Sequence, residues 1–241
     1  MVKMKVDILA IGVHPDDVEL SCSGTLLKHI DIGYSVAIVD LTQGELGSRG
    51  SAELRLREAN DAKKYMGIEH RDNLSMEDGF FSYNKESLLK IVQSIRKFKP
   101  QIVLANAISD RHPDHGKAAK LISDACFLSG LIKIKSVYDD LTQEHWRPEV
   151  VYHYIQDHNL KPDFIIDISG YEERKMEAIK CFSSQFYDPN STEPSTPISS
   201  KNFLDYISSR SATFGRQIGV AHGEGFNVAR PVGVKNIFDL I

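Results

Sequence analysis

Val6-Asp7-Ile8-Leu9-Ala10-Ile11-Gly12-Val13-His14-Pro15-Asp16-Asp17 is a buried-strand signal that breaks into His-Pro-Asp-Asp and runs into a helical pattern. An apolar run of this kind suits a strand covered on both faces, as in a parallel sheet. A second segment repeats the arrangement. Residues 102–105 are apolar and lead to Arg111-His112-Pro113-Asp114-His115, ahead of another helical pattern over 116–131. Strand ends of an open α/β sheet share one rim, and ligands bind there, so side chains roughly 100 residues apart in sequence can meet. Three histidines and three aspartates then converge on one spot, enough to hold a metal and leave a base over.

The remaining chain fits that architecture. Residues 35–41 read as a second strand, and 24–30 as a helix closed by Gly33. A glycine-rich loop spans 44–50, and a helix follows from Ser51 to Met66, ended by Gly67. Residues 85–98 are amphipathic, with Leu88, Ile91, Val92 and Ile95 on one face, and Pro100 stops them before the strand at 101–105. Beyond Leu131 the pattern loosens: strands are expected at 150–155 and 164–168, helices at 170–182 and 202–214, then a glycine-punctuated tail. Residues 188–200 hold three prolines among Ser, Thr and Asn, and read as an exposed loop or lid. The expected fold is α/β: a Rossmann-like, mostly parallel sheet with helices on both faces and the metal site at the carboxyl ends of the strands. It forms a single domain, with a core at 1–131 and an αβ extension at 132–241.

Within the site, His14 and Asp17 are three residues apart and can share a face, which turns Asp16 elsewhere, as a non-ligating base requires. His115 supplies a third ligand. Three protein ligands with an open position are the arrangement of catalytic zinc, where a bound water loses a proton near neutral pH. Asp17 and Asp114 are also good helix N-caps, and capping and ligation are compatible. The His-Pro-Asp step occurs twice at strand-to-helix junctions, where proline fixes the backbone, and that joint pattern favours ligation. Dinucleotide binding is disfavoured: the turn carries Asp16, Asp17 and Glu19 where pyrophosphate needs glycines, so Asp40 alone is a weak ribose signal. Loop 44–50 has no GK[ST] and suits a surface connection as well as a phosphate cradle. Arg49, Arg55 and Arg111 come toward the rim with forks suited to carboxylates, whereas Arg57 reads as a solvated helix charge.

The chain has 241 residues, a net charge of −4 and a pI near 6.1, so no global basic field draws it to nucleic acid or anionic lipid. Its three cysteines, Cys22, Cys126 and Cys181, lack CxxC pairing and suit reduced thiols. The apolar run at 6–13 is too short and too broken for a signal peptide or membrane span, so a cytoplasmic protein is expected.

At Ala10-Ile-Gly-Val-His-Pro-Asp-Asp-Val-Glu, Gly50-Ser-Ala-Glu-Leu-Arg55 with Glu58-Ala59, Asp110-Arg-His-Pro-Asp-His-Gly116, Ser184-Gln185-Phe186 and Gly223-Glu-Gly-Phe226, the chain resembles the LmbE-like/PIG-L family of zinc-dependent N-acetylglucosamine deacetylases. The resemblance covers nearly the whole chain. It implies zinc on His14, Asp17 and His115, one ion per chain, with ferrous iron or another divalent metal also accepted by such a set. It implies Asp16 as general base and a protonated His112, paired with Asp114, facing the tetrahedral intermediate. Val6-Asp-Ile-Leu-Ala10, Asp110-Arg-His-Pro-Asp-His115 and Pro162-Asp-Phe-Ile-Ile-Asp-Ile-Ser resemble the family's bacillithiol-biosynthesis branch. That implies hydrolysis of N-acetylglucosaminyl malate to glucosaminyl malate and acetate, with Arg55 and Arg111 contacting the malate carboxylates. It also implies a small amino-sugar substrate and a homo-oligomer, with a hexamer as the suggested size. Close relatives carry Tyr and a small residue where this chain has His222-Gly223, a departure that bears on substrate preference. Two other readings remain: deacetylation of a different N-acetyl sugar conjugate, and a non-catalytic metal- or sugar-binding module, which would not need Asp16 as a spare base.

Overall fold

Five consecutive buried residues, Ile8–Gly12, form β1, and the side chains alternate across it: Leu9 and Ile11 enter one core, Ile8 and Ala10 another. The computed structural model describes residues 4–240, so much of the charged start at 1–5 lies outside the described residues. After β1 come α1 (Asp17–Asp31), β2 (Val36–Thr42), α2 (Ala52–Met66), β3 (His70–Met76), α3 (Lys85–Phe98), β4 (Ile102–Ala105) and α4 (Pro113–Ser129). A small hairpin, β5 (Val137–Tyr138) and β6 (Leu141–Thr142), turns through Asp139 and Asp140, both at positive φ as a tight hairpin demands. Then follow β7 (Val150–Tyr154), β8 (Phe164–Asp167), α5 (Glu172–Lys180), α6 (Lys201–Gln217) and β9 (Gly223–Val228).

The main sheet has the order β3-β2-β1-β4-β7-β9-β8. β1 pairs in parallel with β2 and with β4, and β9 runs antiparallel between β7 and β8. The chain therefore steps outward from β1 to β3, then returns to β4 on the other side of β1. That reversal opens a crevice at the carboxyl ends of β1 and β4, the place where such sheets bind ligands. Residues of α3 and α4 (Ile91, Val92, Ile95, Leu121, Ile122) fill the core on one face. Residues of α1 and α5 (Val18, Cys22, Leu26, Ala178) fill the other. The doubly covered α/β sheet expected from the alternating signals is the observed fold.

Two main-sheet strands differ from the sequence reading. β3 is an edge strand of largely half-buried polar residues, so it has no apolar run to betray it. β9 is the expected glycine-punctuated tail. A Cβ on Gly223 would lie 2.6 Å from Ile165 and 3.0 Å from the Gly215 backbone, so the glycine serves close packing of α6 on the sheet. α1 also begins at Asp17, seven residues before the helical spacing becomes visible. No helix of the described residues is long and apolar enough to cross a membrane.

Candidate active site

Asp17, the first residue of α1, organises the turn after β1. Its Oδ2 accepts the backbone N–H groups of Val13 (2.9 Å) and His14 (3.0 Å). Asn106, just past β4, donates Nδ2 to the same oxygen (3.0 Å), and Gln156, just past β7, donates Nε2 to Oδ1 (3.1 Å). Burial alone would raise this carboxyl, but His115, His14 and these donors hold it well below the ordinary range. His115 brings Nε2 to 3.1 Å of Asp17 Oδ1, and His14 brings Nδ1 to 3.8 Å of Oδ2.

Each imidazole has its far nitrogen on a carboxylate. His115 Nδ1 lies 2.6 Å from Asp110 Oδ2, and His14 Nε2 lies 3.0 Å from Asp78 Oδ1. Outer carboxylates of this kind fix the tautomer and ring orientation of ligating histidines, leaving the opposite nitrogen for the metal. Asp17, His14 Nδ1 and His115 Nε2 together could hold a divalent transition metal by their chemistry, and the ring nitrogens of His14, His112 and His115 form a second candidate group. Burial lowers the His115 pKa, yet Asp17 and Asp110 carry it up to about 10, and the field that favours a proton on this ring equally favours a cation. His112 also offers an atom within 4.8 Å of ligand atoms on His14 and His115. The alternative group His14, Asp78 and Asp114 is already satisfied internally, because Asp114 accepts from Lys117 Nζ (2.8 Å) and Gly79 N (3.0 Å).

Asp16 is set apart from the ligands by its backbone. It occupies the N-cap position of α1 at φ 132° and ψ −23°, a conformation non-glycine residues rarely hold, and its side chain makes no cap hydrogen bond. Instead Oδ2 accepts Arg55 Nη2 at 2.9 Å. Burial pushes the Asp16 carboxyl up to about 7 against the pull of Arg55, a range suited to taking and returning a proton.

These groups line one cavity of about 360 Å³, closed on its far side by Thr196, Pro197, Ile198 and residues of α6. His14, Asp16, Asp17, His112, His115, Arg55 and Arg111 all reach it, and His222 and the carboxylate-bearing Asp114 are not among its walls.

Three expected roles are corrected by these contacts. Asp114 does not buttress His112 through its carboxylate, which is spent on Lys117 and Gly79. The link runs the other way, from Asp114 N–H to His112 Nδ1 (3.3 Å). His112 is therefore the N-cap of α4, and burial together with His14 and His115 lowers its pKa, favouring a neutral ring with its proton on Nε2 rather than an imidazolium. Arg55 does not offer a free fork: Nη1 donates to Gly44 O (3.3 Å), and Nη2 is shared by Pro15 O (3.0 Å) and Asp16. Arg111 is exposed at the mouth, with Nε on Asp157 (2.7 Å). Neither helix N-cap is an aspartate ligand, since Asp17 and Asp114 lie inside their helices. Asp40 is held by Arg71 through both carboxylate oxygens (2.7 and 2.9 Å) beside Glu19, a structural ion cluster.

Sequence reasoning missed Asp110, Asp78, Asn106 and Gln156. Asp110 stands five residues before His115, and asking where the second nitrogen of that ring goes would have found it. Asn106 and Gln156 sit just past strand ends, where the rim rule points. Asp78 lies 64 residues from His14 and has no local signal.

Comparison with known proteins places the chain in a family. A family model described as PIG-L, GlcNAc-PI de-N-acetylase, matches residues 9–126, a span that contains His14, Asp16, Asp17, His112 and His115. Diacetylchitobiose deacetylase of Thermococcus kodakarensis is 31% identical over 192 residues, which is 74% of this chain and 70% of that protein. The conserved protein TT1542 of Thermus thermophilus superposes with a TM-score of 0.83 at 33% identity, over 95% of this chain and 97% of its own. N,N'-diacetylchitobiose deacetylase of Pyrococcus horikoshii does so with a TM-score of 0.77 at 25% identity, over 98% and 88%. With its ligand motifs, fold and relatives in agreement, the chain belongs to the PIG-L family of de-N-acetylases.

Proposed function

We propose that this protein is a metal-dependent N-deacetylase that removes the acetyl group from an N-acetylglucosamine conjugate, with zinc as the metal and N-acetylglucosaminyl malate as the leading substrate. One observation carries the reading: a carboxylate and two carboxylate-oriented imidazoles meet in a cavity beside a separate buried acid, Asp16, held by Arg55. A binding module has no use for that last group.

His14, Asp17 and His115 would hold the cation, which supplies Lewis-acid polarisation of the acetyl carbonyl and a lowered pKa for water. Asp16 accepts a proton from the attacking water at the oxygen not engaged by Arg55. It returns that proton to the amine nitrogen as the C–N bond breaks, so water is consumed and acetate and a free amine leave. His112 donates its Nε2–H to the acetyl oxygen as negative charge grows there, while the Asp114 N–H on Nδ1 keeps the ring in that tautomer. Arg111, which lines the cavity with its Nε on Asp157, would meet the carboxylates of a malyl group. The malate assignment rests on the sequence resemblance and on this arginine, while two of the similar proteins are named as diacetylchitobiose deacetylases. The same reading carries a homo-oligomer and a cytoplasmic setting.

The test is acetate release by zinc-loaded protein from N-acetylglucosaminyl malate, diacetylchitobiose and N-acetylglucosamine. The expected order of kcat/KM places the malyl glycoside first. Preference for diacetylchitobiose retains the deacetylase and rejects the malate, and zinc binding without turnover on any sugar favours the binding module.

A further inference from the structure

Residues 188–199 form no helix or strand, yet Thr196, Pro197 and Ile198 within them are a wall of the cavity. Hydrogen bonds inside this stretch are local: Ser191 N to Asp188 O, Glu193 N to Ser191 Oγ, and Thr196 paired with Ser199. Among the described residues, the hydrogen bonds that tie the stretch to the rest of the chain both come from Arg49. Nη1 donates to Pro194 O (3.1 Å) and Nη2 to Ser191 Oγ (2.8 Å). Arg49 is 5% exposed, and both bonds are partly buried.

The other end of Arg49 is fixed. Nε donates to Ser184 O (2.7 Å), and Gln185 Nε2 donates to Arg49 O (2.9 Å). Ser184 is in turn held by Glu58, which accepts its N–H and its hydroxyl, both at 2.7 Å. Gly50 makes this approach feasible: it sits at φ 70°, and a Cβ there would lie 2.9 Å from Ser184 Oγ. Gly47 and Ser48, immediately before Arg49, line the cavity on the side of the glycine loop. Arg49, the next residue after that wall, thus ties itself to Ser191 and Pro194, shortly before the wall at 196–198.

We propose that Arg49 is a positioning residue that latches residues 188–199 and so sets the width of the cavity, governing how large a substituent on the sugar is admitted. The latch stands on geometry alone, whereas its effect on substrate size rests on the function proposed above. Three donors of a planar fork set the distance between two loops in a way a flexible lysine does not reproduce.

Hydrogen exchange of the full chain tests the latch without turnover. Arg49→Ala should speed exchange of the Ser191, Glu193, Thr196 and Ser199 amides by about tenfold or more, with the Glu58-held Ser184 amide unchanged. Ser191→Ala, which removes one tie and also the acceptor of the Glu193 amide, should give a smaller change in the Thr196 and Ser199 amides, which it does not touch. It also serves, with Arg49→Lys, where Arg49→Ala fails to fold by circular dichroism. Unchanged exchange in all variants overturns the latch. For the cavity, Arg49→Ala should change KM for diacetylchitobiose and the malyl glycoside several-fold more than KM for N-acetylglucosamine, with kcat on the monosaccharide within about twofold. Equal shifts on all three overturn the control of width. Wild-type protein inactive on every sugar overturns the proposed function instead, and exchange then decides the latch alone.

Discussion

Replacing Asp110 by Asn tests whether the site is built around correctly oriented imidazoles. Asp110 Oδ1 accepts the backbone N–H groups of Asp157 (2.8 Å) and His158 (2.7 Å), and Oδ2 meets His115 Nδ1 at 2.6 Å. In the Asn variant the amide oxygen can still serve the two backbone donors, so the amide NH₂ must face His115. A donor there forces Nδ1 to accept and places the ring proton on Nε2, the nitrogen beside Asp17. Loss of an outer carboxylate costs about 10–100-fold in metal affinity, or about 1.4–2.7 kcal/mol. Asp110→Ala additionally strands two backbone donors, each worth about 1–3 kcal/mol where buried. The Asn variant should therefore lose zinc affinity, with a modest Tm loss in the metal-free protein from the missing Asp110–His115 ion pair, and the Ala variant should lose zinc affinity and a larger share of Tm. Chelator competition for zinc and thermal denaturation of metal-free protein measure the two quantities separately. Wild-type zinc affinity in Asp110→Asn would refute the tautomer argument, and a Tm loss equal to that of Asp110→Ala would reduce Asp110 to a loop brace.

Asp16→Asn should retain zinc and lose about 10²–10⁴-fold in kcat, the usual contribution of a general base; acetate release at the wild-type rate would dismiss the assignment. Arg55→Met should lower kcat on N-acetylglucosamine and on the malyl glycoside alike, because Arg55 acts through Asp16. A KM increase confined to the malyl substrate would restore the carboxylate-binding role. Away from the site, Lys175 is 1% exposed and pairs with Glu224 (2.6 Å), which also accepts the Gly24 and Thr25 N–H groups inside α1. Lys175→Met leaves that carboxylate buried without a cation and should cost about 3–5 kcal/mol, lowering Tm by about 6–20 °C at 2–4 °C per kcal/mol. An unchanged Tm would show that the pair contributes nothing.

How far the fold can be read from sequence depends on where each element packs. β1, β2 and β4 are covered on both faces and read as apolar runs, so their positions are legible. β3 is hidden by its place at the sheet edge, and β9 by the glycines its neighbour α6 requires. The site divides in a similar way. His14, Asp16, Asp17 and His115 are legible because two motifs put them at strand ends on one rim. Which donors each polar group has already spent is not legible. Arg55 and Asp114 both have the right chemistry for their expected roles, and both are committed elsewhere by contacts to residues such as Gly44, Pro15, Gly79 and Lys117.

The distribution of charge in the cavity explains why those commitments matter. Five carboxylates crowd the turn region: Asp16, Asp17, Asp78, Asp110 and Asp114, each 5% exposed or less except Asp110, which is half-buried. Arg55 neutralises Asp16, and Lys117 neutralises Asp114. Asp17, Asp78 and Asp110 have neutral hydrogen-bond donors, and their ion-pair partners among the described residues are the imidazoles of His14 and His115. Buried negative charge of that amount is costly unless paired. A divalent cation offsets it at the atoms where both rings present their remaining nitrogens. Had Arg55 been free to bind substrate, Asp16 would have joined the unpaired set and competed for the same ion. The Arg55–Asp16 pair therefore separates the proposed base from the proposed ligands electrostatically, while the positive φ of Asp16 separates them in space.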